Sequence, residues 1–319
     1  MADHPGWCLN LIRAAQVEAG ERAMVLVDEP LAREAEELAA ALRDIGAEPD
    51  VVLWAGERPF EHAPAEATQA ARASNVGFHL QQAPRGEEGA ARFEVLHAME
   101  EDGGRMLFLG FVDGELLAGE LSQPTPDLAE TARSLLAQLE GARELHIRAP
   151  AGTDLTMRVE GRTFLSDAFP LGPGDFGNYP GGEVFTAPLE DSANGVLVAD
   201  LTVPYTVEGL VDEPVRLTFE NGRVTAIEGG RAADLLRSLV EEAGEGADVI
   251  AELGIGFYPD LPPRGHVMLD EKAAGTAHVA IGRNTGLYGG VNEAQIHVDC
   301  IFSEPEIEVD GRRLELPGG

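Results

Sequence analysis

The stretch AMVLVDEPLAREAEELAAALRDIGAEPDVVLW, Ala23–Trp54, decides how the first part of the chain folds. Its two ends, AMVLV and DVVLW, are short apolar runs that are typical of buried strands. Between them, apolar residues recur at helical spacing from Leu31 to Ile45, and Gly46 follows as a C-cap. A strand, a helix and a second strand in this order predict a right-handed crossover connection.

The same alternation continues beyond Trp54. VGFHL (Val76–Leu80) and MLFLG (Met106–Gly110) are further apolar runs, each preceded by a helical pattern. This order predicts an α/β N-terminal domain with a doubly wound, mostly parallel sheet, which we place at residues 1–130. None of its turns carries GxGxxG or a Walker A loop, so the sequence does not support a nucleotide-binding role.

The pattern changes after a helix that we predict over Pro124–Ala142. Short segments with alternating polarity then dominate. Asn221-Gly222, between VRLTFE and RVTAIE, predicts a tight hairpin, and EIEVDGRRLEL predicts another at the C-terminus. We therefore expect a mostly β (α+β) C-terminal domain over residues 131–319.

The chain is strongly acidic, with a formal net charge of -33 over 319 residues. Such a charge repels phosphate backbones and anionic lipids, so nucleic-acid and membrane partners are not expected. The acidic residues are spread along the chain, which indicates a solvated surface. A salt-rich cytoplasm and GC-rich coding are both compatible with an acidic, arginine-biased composition, and the sequence leaves both open.

Cys8 and Cys300 are the only cysteines. Two thiols form neither a disulfide framework nor a thiolate metal cluster. No signal peptide is evident, and no apolar stretch approaches the length of a membrane span. We expect a cytoplasmic protein.

Residues with metal-binding chemistry collect in the predicted second domain. His297 and Asp299 in IHVDC lie two apart, on one face of a predicted strand, and this pattern is typical of a solvated face as well as of a chelating pair. His278 in AHVAIG, Glu252 in VIAELGIG and Glu183 after NYPGG extend the set. Nitrogen and oxygen donors of this kind suit Zn²⁺, Co²⁺ or Mn²⁺, and they suffice for two ions that share a carboxylate.

Four motifs in this region resemble those of the aminopeptidase T family of dinuclear metallo-aminopeptidases. They are NYPGGEVFTAP (Asn178–Pro188), AELG around Glu252, DEKAAGTAHVAIG (Asp270–Gly282) and GGVNEAQIHVD (Gly289–Asp299). The resemblance implies an α/β first domain and a metal site in the second domain.

The resemblance also implies a set of functional residues. The metal ligands would be Glu183, Glu252, Glu271, His278, His297 and Asp299. The spacing from Glu271 to His278 is longer than in the family. The family's active-site tyrosine has no counterpart at the expected position, where Asn284 and Thr285 stand, and Tyr288 is the displaced candidate.

The activity implied is removal of N-terminal residues from short peptides, with two divalent metal ions per chain (Zn, Co or Mn) and a homodimeric assembly. Metal ions would activate a water molecule, and Glu252 or Glu271 would pass a proton to the leaving amine.

Two alternatives stay open. A dihydroxypyridine ring-cleaving dioxygenase would use His278, His297 and Asp299 on one Fe(II), but it has no need of Glu183 and Glu252. A non-catalytic metal-binding homologue is the other alternative. Lys272, the only lysine of the chain, lies within the third motif, and the sequence does not show whether its ammonium reaches the site.

Overall fold

The computed structural model describes residues 4–56, 58–83, 88–101 and 103–317, except for the side chain of Leu287. The chain forms two compact units, Met1–Asp127 with Asp167–Gly181 and Leu128–Ser166 with Gly182–Gly319. The predicted mixture of a parallel sheet with antiparallel sheets is confirmed. The single domain boundary predicted after residue 130 stays a prediction. Each of the two units consists of two separate stretches of the sequence.

Helices and strands alternate in the first part of the chain, and strands dominate the rest. The first part contains α1 (Gly6–Ala14), β1 (Arg22–Asp28), α2 (Ala32–Asp44), β2 (Glu48–Trp54), α3 (Ala65–Arg72), β3 (Val76–Leu80), α4 (Glu88–Glu100), β4 (Arg105–Leu109), α5 (Gly114–Ala118) and α6 (Ala129–Leu139). The strands β5 (Glu144–Arg148), β6 (Asp154–Arg158), β7 (Leu165–Ser166), β8 (Phe176–Asn178), β9 (Glu183–Thr186), β10 (Asn194–Ala199), β11 (Val215–Glu220) and β12 (Arg223–Glu228) come next. The last elements are α7 (Arg231–Ala243), β13 (Ile250–Gly256), α8 (Val267–Asp270), β14 (Thr276–Gly282), β15 (His297–Ser303), β16 (Glu306–Val309) and β17 (Arg312–Arg313).

The first unit is built on one parallel sheet with the strand order β2-β1-β3-β4-β8. The four apolar runs predicted as strands form its first four strands. Met24 and Leu26 of β1 pack into a core with residues of α3 and α4, while α2 packs with α1. Gly46 adopts a φ of 86°, the left-handed conformation expected of the residue that follows α2.

The second unit contains two antiparallel sheets, ordered β12-β11-β10-β6-β5-β16-β17 and β15-β14-β13-β9-β7. Asn221 and Gly222 form the predicted two-residue turn between β11 and β12, both with positive φ (50° and 78°). The predicted C-terminal hairpin is confirmed as β16 and β17.

The helix predicted over Pro124–Ala142 was too long, because α6 covers only Ala129–Leu139. Pro124 and Pro126 lack amide hydrogens and disfavour helical geometry in the residues before them, so the helix starts after them. Within the part of the chain that the structure describes, every helix is too short or too polar to cross a bilayer.

Candidate metal centre

Adjacent strands of the second unit carry five of the six predicted ligands. Glu183 opens β9, Glu252 lies in β13, His278 lies in β14, and His297 and Asp299 lie in β15. These strands are neighbours in the order β15-β14-β13-β9. The sheet therefore brings together residues that are more than 100 positions apart in the sequence.

Each of the five candidate ligands has at least one cross-strand partner with little or no side chain, although His278 also pairs with Ile301. The pairs are Glu183 with Gly256, Glu252 with Ala280, His278 with Gly254, His297 with Gly282, and Asp299 with Ala280. Directly paired residues project from the same face of a sheet, so all five ligands share one face. The small partners leave space on that face for the ligand side chains.

Gly254 is the clearest example of this packing. A Cβ atom built at Gly254 would lie 2.0 Å from Cε1 and 2.3 Å from Nε2 of His278. The imidazole thus lies directly against the backbone of β13, and a larger residue at position 254 would displace it. His278 is buried, with 1% of its surface exposed.

Glu252 lies between the two histidines. Its Oε1 atom is 3.6 Å from Nε2 of His278, and its Oε2 atom is 2.9 Å from Nε2 of His297. The carboxylate therefore presents a different oxygen to each imidazole. This is the arrangement of a carboxylate that bridges two positive centres.

His297 is held in a defined orientation. Its Nδ1 atom lies 2.7 Å from the carbonyl oxygen of Arg283 and donates to it, which leaves Nε2 available as a ligand atom. Its ring stacks on that of Tyr288, with 4.9 Å between centroids and 18° between planes. Asp299 Oδ1 lies 3.4 Å from His297 Nε2 and 3.9 Å from His278 Nε2.

Among the described residues, three overlapping groups have ligand atoms within 4.8 Å of one another. They are Glu183, Glu252 and His278; Glu252, His297 and Asp299; and Glu271, His278 and Asp299. All six predicted metal ligands are members, and the two histidines fall into different groups. The second unit therefore has clustered carboxylate and imidazole groups able to bind a metal ion.

Glu271 and Lys272 enter the site from the turn after α8. Asp270, just before them, anchors this turn by accepting hydrogen bonds from Thr202 Oγ1 at 2.6 Å and from the amides of residues 264 and 265. Lys272 is fully buried, contacts Glu183 Oε1, and places Nζ 2.8 Å from Glu271 Oε1. The lone lysine of the sequence therefore lies within the carboxylate cluster.

The cluster strongly favours positive charge. Burial by itself would lower the pKa of His278, but the negative charges of Glu252 and Asp299 raise that pKa to about 10. Burial would likewise raise the pKa of Asp299, yet the hydrogen bond and charge of His297 lower it to about 2. Burial raises the pKa of Glu271 above its ordinary value. The raised pKa values mean that the site retains protons, and a bound metal cation would take the place of that positive charge.

Asn284 and Tyr288, the residues near the expected position of the family's tyrosine, lie outside the three ligand groups. Asn284 is buried, donates to Glu190 at 2.9 Å, and accepts from the amide of Asn292 at 2.8 Å. It therefore holds a loop and does not take the place of a catalytic tyrosine. His266, which immediately precedes α8, also lies outside the three groups. Tyr288, in the turn Gly286–Tyr288, contacts both His297 and Phe185 through its ring.

Sequence reasoning did not identify the supporting residues. Gly254 determines where the imidazole of His278 lies, and the carbonyl of Arg283 orients His297. The sequence carries one signal for them, a glycine or alanine at a strand position that pairs with each candidate ligand. That signal becomes readable only once the register of β13, β14 and β15 is known.

Comparison with known proteins gives two kinds of relative. Aminopeptidase AmpS of Bacillus subtilis is 30% identical over 189 residues, which cover 52% of this chain and 45% of that protein. The 2,5-dihydroxypyridine 5,6-dioxygenase of Pseudomonas putida is 28% identical over 242 residues, which cover 70% of this chain and 68% of that protein. The chain thus spans less than half the length of the aminopeptidase.

The solved structure of the dihydroxypyridine dioxygenase from Pseudomonas putida superposes with a TM-score of 0.78, covers 98% of this chain and 95% of that one, and has 22% identity. This likeness supports the fold alone. The predicted resemblance to aminopeptidase T is confirmed in part, since relatives named aminopeptidase match at about 30% identity. A family model described as NicX, 2,5-dihydroxypyridine 5,6-dioxygenase, matches residues 6–318, and the chain therefore belongs to the NicX family.

Proposed function

We propose that the chain is a metal-dependent aminopeptidase that removes N-terminal residues from short peptides. The observation that carries this proposal is the position of Glu252, whose two oxygens face different histidines at 3.6 Å and 2.9 Å. Two-metal hydrolases use a shared carboxylate of this kind. The nitrogen and oxygen donors around it fit Zn²⁺, Co²⁺ or Mn²⁺.

Two ions held by these residues would supply an activated water and polarise the scissile carbonyl. Glu252, His297 and Asp299 would hold one ion, and His278 with Glu183 would hold the other. Because both oxygens of Glu252 face imidazoles, Glu271 is the better group to carry a proton to the leaving amine. Glycine and alanine neighbours fix these side chains before substrate arrives, which favours a preorganised site.

A dihydroxypyridine dioxygenase is the second candidate, favoured by the family match over residues 6–318. In that case His278, His297 and Asp299 would bind one Fe(II) together. Both imidazole Nε2 atoms face Asp299 Oδ1, at 3.4 Å and 3.9 Å, as such a triad requires. The additional carboxylates Glu183 and Glu252, which a mononuclear iron site does not need, favour the hydrolase.

An assay of aminoacyl p-nitroanilides with added Zn²⁺, Co²⁺ or Mn²⁺ tests the proposal, run beside oxygen uptake on 2,5-dihydroxypyridine with Fe²⁺. We expect metal-dependent release of nitroaniline and no oxygen consumption. Oxygen uptake without peptide hydrolysis would reject the hydrolase in favour of the dioxygenase. Less than one bound ion per chain with neither activity would indicate a non-catalytic homologue.

Tyr288→Phe tests the proposed role of Tyr288 beside His297. The substitution keeps the stacked ring and removes the hydroxyl, so metal content should not change. If the hydroxyl stabilises charge in the transition state, kcat should fall on the order of 100-fold while KM changes little. Steady-state kinetics decide this point, and an unchanged kcat would limit Tyr288 to packing against the imidazole.

The proposal also covers the substrates, the assembly and the location of the protein. We propose short peptides as substrates, a homodimeric assembly and a cytoplasmic location. The net charge of -33 supports the absence of nucleic-acid and membrane partners.

A further inference from the structure

Lys272 is buried without any exposed surface, and it is the only lysine of the chain. A buried ammonium is stable only when charged partners compensate its lost hydration. Those partners are Glu183, which it contacts, and Glu271, whose Oε1 lies 2.8 Å away. The ammonium therefore neutralises two carboxylates that are themselves candidate metal ligands.

Both partners of Lys272 lie on the His278 side of the site. Glu183 groups with Glu252 and His278, and Glu271 groups with His278 and Asp299. The remaining group of Glu252, His297 and Asp299 contains neither Glu183 nor Glu271. Glu183 contacts Lys272 through Oε1 and faces His278 Nε2 through Oε2 at 3.7 Å, so an ion at His278 would share this carboxylate with the ammonium.

We propose that Lys272 makes the two ion positions unequal. The position formed by Glu252, His297 and Asp299 binds a divalent ion tightly. The position at His278 binds a second ion weakly, because its other carboxylates already compensate the ammonium. This inference rests on the proposed metal site and specifies how that site is filled.

The charges of the site agree with this order of binding. Its four carboxylates, Glu183, Glu252, Glu271 and Asp299, carry four negative charges, and Lys272 reduces the total to three. With neutral imidazoles, one divalent ion leaves a single negative charge, and a second ion makes the buried cluster positive. At an effective dielectric constant of about 20, a unit charge about 6 Å from a divalent ion changes ion affinity by on the order of 10,000-fold.

Titration of the metal-free full-length protein with Co²⁺, followed by calorimetry and by the visible absorption of bound Co²⁺, tests the inference. We expect one tight ion per chain and a second ion that binds at least about 100-fold more weakly. In Lys272→Met, which keeps the length of the side chain without the charge, the second ion should bind at least about 100-fold more tightly than it does in the wild-type protein. Two ions of equal affinity in the wild-type protein would overturn the inference.

His278→Ala and His297→Ala form a matched pair for the same titration. We expect His278→Ala to keep the tight ion and lose the weak one, whereas His297→Ala loses the tight one. Equal loss of the tight ion in both variants would overturn the inference and support a single ion bound by both histidines. If Lys272→Met does not fold, as judged by circular dichroism, the wild-type titration and this pair still decide the question.

Failure of the inference and failure of the proposed function give different results. Two equally tight ions with intact peptide hydrolysis would reject only the role of Lys272. No tightly bound ion in the folded wild-type protein would reject the metal site, and the proposed function with it.

Discussion

Glu252→Gln is expected to release bound metal and to abolish metal-dependent peptide hydrolysis. The substitution keeps the shape of the side chain, but a neutral amide cannot bridge two cations. Removing a residue that only supports a ligand costs about 10- to 100-fold in metal affinity. Loss of the shared ligand itself should therefore cost on the order of 1,000-fold or more in activity, measured as kcat/KM with aminoacyl p-nitroanilides alongside metal analysis after dialysis.

Glu308→Gln is the matched control for this prediction. Glu308 lies in β16, in the seven-stranded sheet of the same unit, and its carboxylate contacts Arg148 outside the three ligand groups. This variant should keep its metal and its activity. If Glu252→Gln keeps both as well, Glu252 does not bridge two ions, and hydrolysis with a single ion on His278, His297 and Asp299 gains support.

Gly254→Ala is expected to remove His278 from the site although the substituted residue is not a ligand. The added methyl group would lie 2.0 Å from His278 Cε1, so the ring must rotate away from the backbone of β13. Overpacking in a buried sheet costs about 1–3 kcal/mol of stability. Displacement of the imidazole should weaken binding of the His278 ion by about 100-fold or more, in line with the loss of a ligand.

Gly177→Ala provides the comparison for strand glycines in general. Gly177 lies in β8 of the first unit, and a Cβ there would meet its nearest neighbours at 3.5–3.7 Å, which is ordinary van der Waals contact. Metal titration and thermal unfolding of both variants separate the two effects. A Gly254→Ala protein that binds the second ion as the wild type does would show that His278 does not contact that ion.

β1, β3 and β4 could be predicted because each contains a continuous apolar run that is buried on both faces. β3 matches the predicted Val76–Leu80, and β1 exceeds the predicted run by one residue at each end. The turn at Asn221-Gly222 could be predicted because few residues accept positive φ at consecutive positions. These signals are local and do not depend on distant parts of the chain.

The arrangement of the candidate site could be anticipated only as a set of residues. The four motifs contained all six candidate ligands. They did not show which carboxylate oxygen faces which histidine, nor that the two histidines fall into different groups of ligand atoms. The role of Lys272 depended on Glu183, which lies 89 positions earlier in the sequence. Long-range pairings of this kind follow from strand register, which a single sequence does not reveal.

The short strand β8 affects how the protein can be divided into fragments. Its three residues, Phe176–Asn178, form the edge of the parallel sheet beside β4, although 66 residues separate the two strands in the sequence. A fragment that ends at residue 130 would lack β8 and would expose the backbone hydrogen-bonding groups of β4. Such open edges promote aggregation. The first unit should therefore be produced only with β8 included, as it is within the whole chain.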